Sequence, residues 1–286
     1  MLSRRSFTKG GACCICASIV PSHGLAQEDE EFICSTVAPP QQDFLVQDFA
    51  ATEGLDPSAV DAAALAATTN FKITPYGTAF LNQRWRLSDS LAHNMEVITL
   101  GIAFLGGTNA QKSAVRTLAP EWIVGEVAAR IQFQFDVSVE RSHIRVAFDP
   151  KGGNNSLVGR ASLLAPKAKK TMNLQQVSRR AILHEFGHAL GLQHEHMHPT
   201  LGIIWNEPAV ISDMKASQGW KPETTRRNIL NKYTIEAACI GDPSPNRESI
   251  MMYPIPARWT LNGFSTKLNT SISDRDLKCV AGLYEV

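Results

Sequence analysis

The chain has 286 residues, of which 44% are hydrophobic, and its 28 basic and 27 acidic side chains give a formal net charge of +1. This balance gives no indication of nucleic-acid binding, which usually requires a basic patch or stripe. The part beyond about residue 80 is long enough for one compact domain with a sizeable core.

The first 26 residues predict an export signal, which takes no part in the fold. Ser3-Arg4-Arg5-Ser6-Phe7-Thr8-Lys9 resembles the twin-arginine signal of bacteria, and a weakly apolar stretch and a small-residue site ending at Ala26 follow it. Removing residues 1–26 takes away three basic and no acidic side chains, which leaves 25 basic against 27 acidic residues, a net charge of −2. No later stretch is long and apolar enough to span a membrane. The predicted location is the periplasm or the extracellular space.

Residues 27–80 differ in character from the rest, with an acidic start, Pro39-Pro40 and an alanine-rich stretch at 50–67 that could form a short helix. They predict an N-terminal extension or prosegment; the alternative is that they are an integral part of the domain. After removal of the signal, the chain keeps three cysteines, which permit at most one internal disulfide. The sequence does not choose among the three pairings of Cys34, Cys239 and Cys279.

Residues 81–286 predict one catalytic domain that begins with alternating strands and helices. A helix from about Asn109 to Arg130 must kink or divide at Pro120, and a second helix begins near Val177. Apolar or alternating runs predict five strands. The strands are expected at 97–105, 131–135, 144–148, 156–164 and 171–174. This order describes an α+β domain in which a mixed sheet carries two helices.

The second helix contains the run His184-Glu185-Phe186-Gly187-His188-Ala189-Leu190-Gly191-Leu192-Gln193-His194. On an α-helix, residues four apart lie about 40° apart around the axis, so His184 and His188 project from one face and can share a metal. His194 would lie about 15 Å beyond His184 on a continued helix, whereas a zinc–imidazole bond is about 2.1 Å long. The helix must therefore end between them. Gly191, which adopts the left-handed C-cap conformation without a Cβ penalty, is the predicted end.

Three neutral imidazoles with an open fourth position describe a catalytic site for a single zinc ion. Glu185 flanks the same helix face, where its carboxylate can reach water at the open position, so it is the candidate general base. A bare His-Glu-x-x-His also occurs by chance on amphipathic helices, but Gly191 and His194 favour the metal site. We expect His196 and His198 to be solvated loop residues.

Beyond His194 the sequence predicts mostly irregular structure as far as Ser249-Ile250-Met251-Met252-Tyr253-Pro254. The extended histidine motif with this downstream methionine turn resembles the metzincin zinc endopeptidases. Glu195 directly after the third histidine, with Ser-Ile-Met-x-Tyr in the turn, resembles their astacin branch. Ser156-Leu157-Val158-Gly159-Arg160 is similar to the substrate-binding edge strand of that branch. The resemblance covers about Val97 to Val286.

The resemblance implies a metzincin-like zincin fold. Its N-terminal subdomain would hold a twisted, mixed five-stranded sheet and two long helices, and its mostly irregular C-terminal subdomain would end in a helix. It implies that Met251 forms an apolar floor under the zinc and that Tyr253 approaches the metal at rest and hydrogen-bonds the oxyanion. In that branch the residue matching Glu195 contacts the processed amino terminus.

The same resemblance places the substrate along the edge strand, where an extended peptide can pair its backbone with Ser156, Leu157, Val158, Gly159 and Arg160. The segment 254–259 should form the wall on the leaving-group side. Arg258 in that wall could favour acidic substrate side chains or be simply solvated.

Three departures mark this chain as a divergent, bacterial astacin-like protein. His196-Met197-His198-Pro199 replaces the arginine- and aspartate-rich stretch that usually follows the glutamate. The two disulfides of the branch have no counterparts. Residues 27–90 contain neither its aspartate switch nor a cysteine switch.

The sequence therefore predicts an exported, monomeric zinc endopeptidase acting on peptides or proteins. One alternative is a non-catalytic module that binds zinc or peptides on the same scaffold, which the presence of Glu185 argues against. Another is a zinc amidase acting on cell-wall peptides, since its chemistry is the same and only the cleft differs.

Overall fold

The computed structural model describes residues 78–79, 83–92, 96–233 and 245–284. The predicted signal, nearly all of the extension at 27–80, Cys34 and Cys239 lie outside these ranges. Cys279 is within them and is buried. In the described part of the chain, no helix is both long and apolar enough to cross a membrane.

One five-stranded sheet organises the first half of the domain, in the order β2-β1-β3-β5-β4. All of its strand pairs are parallel except that of β4 with β5, which makes β4 an antiparallel edge strand. The strands are β1 Ile98–Leu105, β2 Ile131–Phe135, β3 Ile144–Ala147, β4 Asn155–Ser156 and β5 Met172–Asn173. The mixed sheet and its α+β class are confirmed.

The helices lie between and after these strands. The α-helices of the described residues are α1 Asn109–Leu118, α2 Gly125–Ala128, α3 Arg179–Ala189, α4 Glu207–Gln218, α5 Pro222–Thr225 and α6 Asp274–Leu283. A 3-10 turn at Ala119–Trp122, with Pro120 in its first turn, follows α1, so the predicted break is confirmed. The helix near the C-terminus is also confirmed, whereas the division into two subdomains stays a prediction.

The predicted strand at 156–164 is wrong. Strand β4 ends at Ser156, and a 3-10 helix occupies Gly159–Leu164. Gly159 has a positive φ of 49°, and a Cβ there would lie only 1.8 Å from the carbonyl oxygen of Gln83. A positive φ is not an extended conformation, so the strand does not continue through Gly159, where only glycine fits against Gln83.

The sequence was expected to be mostly irregular after His194, and α4, a 12-residue helix, is the main exception in the described residues. Its sequence carries clear signals: Pro208 in the first turn, Val210 and Met214 four residues apart on the buried face, and Gly219 as a left-handed C-cap with a φ of 66°. A search for helix ends in this region would have found it.

Candidate metal centre

Helix α3 delivers the first two histidines of the motif to a fully buried position. It begins behind Ser178, whose Oγ accepts a hydrogen bond from the backbone N–H of Ala181 at 3.2 Å. Nδ1 of His184 lies 2.8 Å from the carbonyl oxygen of Ile250, and Nδ1 of His188 lies 2.8 Å from that of Leu192. Because a carbonyl can only accept, each Nδ1 carries the proton and each Nε2 keeps a lone pair for a metal.

The helix ends at Ala189, and Gly191 follows with a φ of +100°. The backbone N–H of Leu192 donates to the carbonyl of Gly187 at 3.0 Å, which closes the last turn and reverses the chain. A Cβ at Gly191 would lie 2.9 Å from Cδ2 of Leu283, so a side chain there is disfavoured by the positive φ and would also require Leu283 to shift. The predicted end of the helix is confirmed.

This reversal brings His194 back to the first two histidines. The possible ligand atoms of His184, His188 and His194 all lie within 4.8 Å of one another, and the Nε2 atoms of His188 and His194 are 3.1 Å apart. In the described residues, these three form the one group of histidine, cysteine or acidic side chains placed to hold a metal.

Burial keeps the three imidazoles neutral. It lowers the pKa of His188 to about 4, and it lowers the pKa values of His184 and His194 well below their ordinary range, with the nearby His188 as the next cause. A protonated imidazole could not bind a cation, so this environment fits a metal site. Three neutral imidazoles are the donor set of a catalytic zinc centre.

Three further predicted site residues surround the triad. Glu185 is fully buried on α3 beside His184, and Tyr253 is fully buried with its ring centroid 4.5 Å from that of His194. Met251 packs beneath the helix, where its Sδ lies 2.5 Å from the position a Cβ on Gly187 would take. The turn from Ser249 to Tyr253 therefore closes the site from below and from the side.

Glu195 connects the third histidine to two distant segments. Its Oε2 accepts hydrogen bonds from the backbone N–H and the hydroxyl of Thr78 at 3.1 and 2.9 Å, and its Oε1 accepts from the N–H of Asn246 at 2.7 Å. Burial raises the pKa of Glu195 to about 7 against the lowering effect of these donors. Thr78 and Ala79, which the sequence assigns to the extension, thus pack against the catalytic domain.

Two buried charged residues that hold the methionine turn were missed. Asp276 on α6 accepts from the hydroxyl of Ser249 at 2.6 Å and from the N–H of Ile250 at 3.0 Å. Arg180 on α3 donates to the carbonyl oxygens of Ile250, Met252 and Asn269. The spacing Ser273-x-x-Asp276 is a capping-box signal that predicts the start of α6, but nothing local predicts the partners of Arg180.

His196 and His198 are not solvated, and this prediction is wrong: they are only 1% and 2% exposed. A 3-10 turn at Glu195–Met197, anchored by the bonds of Glu195, directs both side chains inward. Nε2 of His196 lies 3.1 Å from the carbonyl oxygen of Asn228, and burial lowers the pKa of His196 to about 3. Nδ1 of His198 accepts from the N–H of Thr200 at 3.2 Å.

The residues expected to bind the substrate differ in their burial and in their partners. Ser156 lies on the edge strand, and Leu157 follows it and donates its N–H to the carbonyl of Thr171 at 2.8 Å. Val158 is buried, and Gly159 packs on Gln83 as described above. The guanidinium of Arg160 forms a partly buried ion pair with Asp89, 2.7 Å from Nε to Oδ2. Arg258 pairs with Asp213 on α4, although its own side chain is 61% exposed.

The fold and the buried histidine triad resemble those of the metzincin zinc endopeptidases, and the triad can hold a single zinc ion. In structure the chain is similar to myroilysin. One myroilysin structure is 28% identical, with a TM-score of 0.63, and the match covers 73% of this chain and 98% of myroilysin. No family model and no curated protein matches the sequence.

A second myroilysin structure is 29% identical over 71% of this chain and 86% of its own, with a TM-score of 0.50. High choriolytic enzyme 1, a hatching enzyme zinc-protease of the medaka fish Oryzias latipes, is 15% identical over 71% of this chain and 94% of its own, with a TM-score of 0.44.

Proposed function

We propose that this protein hydrolyses internal peptide bonds, with His184, His188 and His194 holding the zinc ion and Glu185 serving as general base. The observation that carries the proposal is that three neutral, fully buried imidazoles converge, and that a buried glutamate lies beside the first of them on helix α3. Position 185 is where a carboxylate can take a proton from water at the open position of the metal. Peptides or unfolded proteins are the proposed substrates.

The side chains of this chain divide the chemistry among them. Zinc, when bound, supplies Lewis-acid chemistry that polarises a carbonyl and makes water acidic near neutral pH. The Glu185 carboxylate takes the proton of the attacking water and delivers it to the nitrogen of the leaving amine. The phenol O–H of Tyr253 donates to the carbonyl oxygen as negative charge develops on it. Met251 keeps the floor apolar.

The edge strand supports an extended substrate. Strand β4 is the edge of the sheet and pairs with β5 only, so its outer side is where an extended peptide would add, although Ser156 itself is only 2% exposed. Backbone pairing positions any sequence without reading it, so side-chain pockets must discriminate. In this proposal Arg160 stays with Asp89, and Arg258 contacts acidic substrates only by leaving Asp213.

The test is Glu185→Gln, which keeps the shape of the side chain and removes its basicity. We expect kcat to fall by at least about 1,000-fold with one zinc per chain retained, because general-base catalysis and water orientation are both lost. Turnover of an unstructured protein and metal analysis on the same sample measure this. Glu126→Gln on the exposed face of α2 is the matched control. Full activity with zinc bound would refute the mechanism.

Export by the twin-arginine route is a further part of the proposal, supported by Arg4-Arg5 and the small-residue site at Ala26. Lysine at both arginine positions, in the signal fused to a reporter, should abolish export. Undiminished export would contradict the route. The mature amino terminus of the exported chain, read by mass spectrometry, would also decide whether residues 27–77 are removed.

A further inference from the structure

His196 lies directly against the ring of Tyr253. The two ring centroids are 4.3 Å apart with an interplanar angle of 30°, which is an offset stack. The same imidazole also stacks on His194 at 5.2 Å and 29°. We infer that His196 is a positioning residue for catalysis, which sets the place of the Tyr253 hydroxyl through this stack.

The imidazole of His196 is itself held firmly. Its Nε2–H donates to the carbonyl oxygen of Asn228 at 3.1 Å, in the π-helical turn Arg226–Leu230. Trp205 meets it edge-on, with centroids 6.4 Å apart at 86°. The backbone of its own turn is fixed at Met197, whose carbonyl accepts the N–H of Tyr233 at 2.9 Å. The platform under Tyr253 therefore cannot shift without breaking these contacts.

The main chain of Tyr253 is fixed, so its ring moves only by rotation about the side-chain bonds. Its carbonyl accepts the hydroxyl of Thr266, so the main chain is tied to the 264–268 segment. The rings of Tyr253, His194 and His196 form a triangle, in which Tyr253 lies 4.5 Å from His194 at 57° and 4.3 Å from His196 at 30°. A phenol on a fixed backbone moves only through its two side-chain torsions, and a stack on one face of the ring restrains both.

Small changes in this position matter to the reaction. A hydrogen-bond donor stabilises an oxyanion only within about 2.7–3.1 Å of it, and a misplacement of about 1 Å can cost roughly 100-fold in rate. The inference rests on the proposed role of Tyr253. The competing explanation is that His196 only fills space in the core. In that case replacing His196 should lower kcat equally whether or not residue 253 carries a hydroxyl.

The experiment is a double-mutant cycle on the full chain with zinc bound. His196→Phe keeps a flat ring, His196→Leu keeps apolar bulk without one, and each is made with and without Tyr253→Phe. We expect His196→Leu to lower kcat about tenfold with KM within twofold, and His196→Phe to retain most of the activity. In the Tyr253→Phe background, neither change should lower kcat further. An equal drop in both backgrounds would overturn the inference.

A second measurement follows the ring itself and does not need activity. The chain has four tyrosines, so labelling with 3-fluorotyrosine gives few ¹⁹F resonances, and Tyr253→Phe identifies the one of interest. Loss of the stack in His196→Leu should shift and broaden that resonance, whereas His196→Phe should leave it sharp. An unmoved resonance in His196→Leu would refute the inference, even if that variant binds zinc too weakly for kinetics.

The two measurements also separate this inference from the proposed function. Unchanged turnover in Tyr253→Phe alone would remove the catalytic role of Tyr253, while the ¹⁹F shift would still report whether His196 positions the ring. A normal effect of Tyr253→Phe with no coupling to His196 would keep the proposed function and remove only the inference.

Discussion

The two sides of the metal site are built by different means. The helix side, defined as His184, Glu185 and His188, is one rigid segment in which helical periodicity alone sets the spacing. The loop side, defined as His194 and the turn Ser249–Tyr253, is irregular. It is held by side chains from distant parts of the chain. Asp276 and Arg180 hold the turn, and Thr78 holds Glu195, the residue after His194.

The two sides should therefore differ in their sensitivity to substitutions elsewhere in the chain. A helix brings two ligands to within a few ångströms with no long-range help, so the helix side should survive most distant substitutions. The loop side depends on hydrogen bonds to buried charged groups, whose loss leaves donors unsatisfied. We therefore expect the fragile part of the site to lie at His194, Met251 and Tyr253.

The largest effect should come from Asp276→Ala, which removes a main support of the loop side. Removing this carboxylate leaves the Ser249 hydroxyl and the Ile250 and Ser273 N–H groups without their acceptor, at a cost of about 3–5 kcal/mol in the free energy of unfolding. Zinc affinity should fall by about 10- to 100-fold, as for other residues that orient metal ligands. Denaturant unfolding and zinc titration measure the two effects.

Asp274→Ala is the control, because Asp274 is exposed in the first turn of the same helix. It should cost no more than about 1 kcal/mol through the helix dipole and leave zinc affinity unchanged. Equal costs for the two substitutions would show that the helix start, and not the methionine turn, is what Asp276 stabilises.

The junction between the two sides is Gly191, and Gly191→Ala should have the next largest effect. The positive φ and the 2.9 Å approach of a Cβ to Leu283 together predict about 2–3 kcal/mol of destabilisation and weaker zinc binding through a displaced His194. Gly219→Ala, with a φ of 66° and open space around it, isolates the backbone term at about 1 kcal/mol. If both variants lose equal stability and bind zinc normally, the contact between an added Cβ and Leu283 has no effect on the position of His194.

The smallest effect concerns how the free energy of unfolding depends on pH. Glu195 has a folded pKa of about 7, above its ordinary value of 4.5, so the folded state binds the proton more tightly than the unfolded state does. Its contribution to the unfolding free energy is therefore full below about pH 4.5 and is lost as the pH rises through about 7. Glu195→Gln cannot titrate, so the stability of the wild type relative to this variant should decline across that window.

Comparing the two proteins at each pH cancels the histidines, which act in the opposite direction because burial lowers their pKa values. Glu248→Gln, at an exposed position, should follow the wild type throughout. A constant difference between wild type and Glu195→Gln would mean that the buried carboxylate keeps its ordinary affinity for protons.

What the sequence predicts follows the same division. The helix side and its end at Gly191 follow from periodicity and from glycine's left-handed conformation, both of which are local. The strands at 98–105 and 131–135 follow from apolar patterning. The 3-10 helix at Gly159–Leu164 was missed because its cause, the carbonyl of Gln83, lies more than 70 residues away.

The burial of His196 and His198 was missed for the same physical reason. A polar run of histidines after a loop ligand predicts solvent exposure unless the partners are known, and the partner Asn228 belongs to a π-helical turn with no clear sequence pattern. Helix α4 is different, since Pro208 and Gly219 mark both of its ends and could have been recognised. Long-range packing, not local propensity, accounts for the remaining errors.

The hydrogen bonds of Asp276 have a consequence during synthesis. This carboxylate comes 82 positions after His194, so a nascent chain that has emerged only as far as the third histidine has every proposed ligand and no finished turn beneath them. The ligands and their support are then separate in time. The docking of α6 against Ser249 and Ile250 is then the step that completes the support of these ligands.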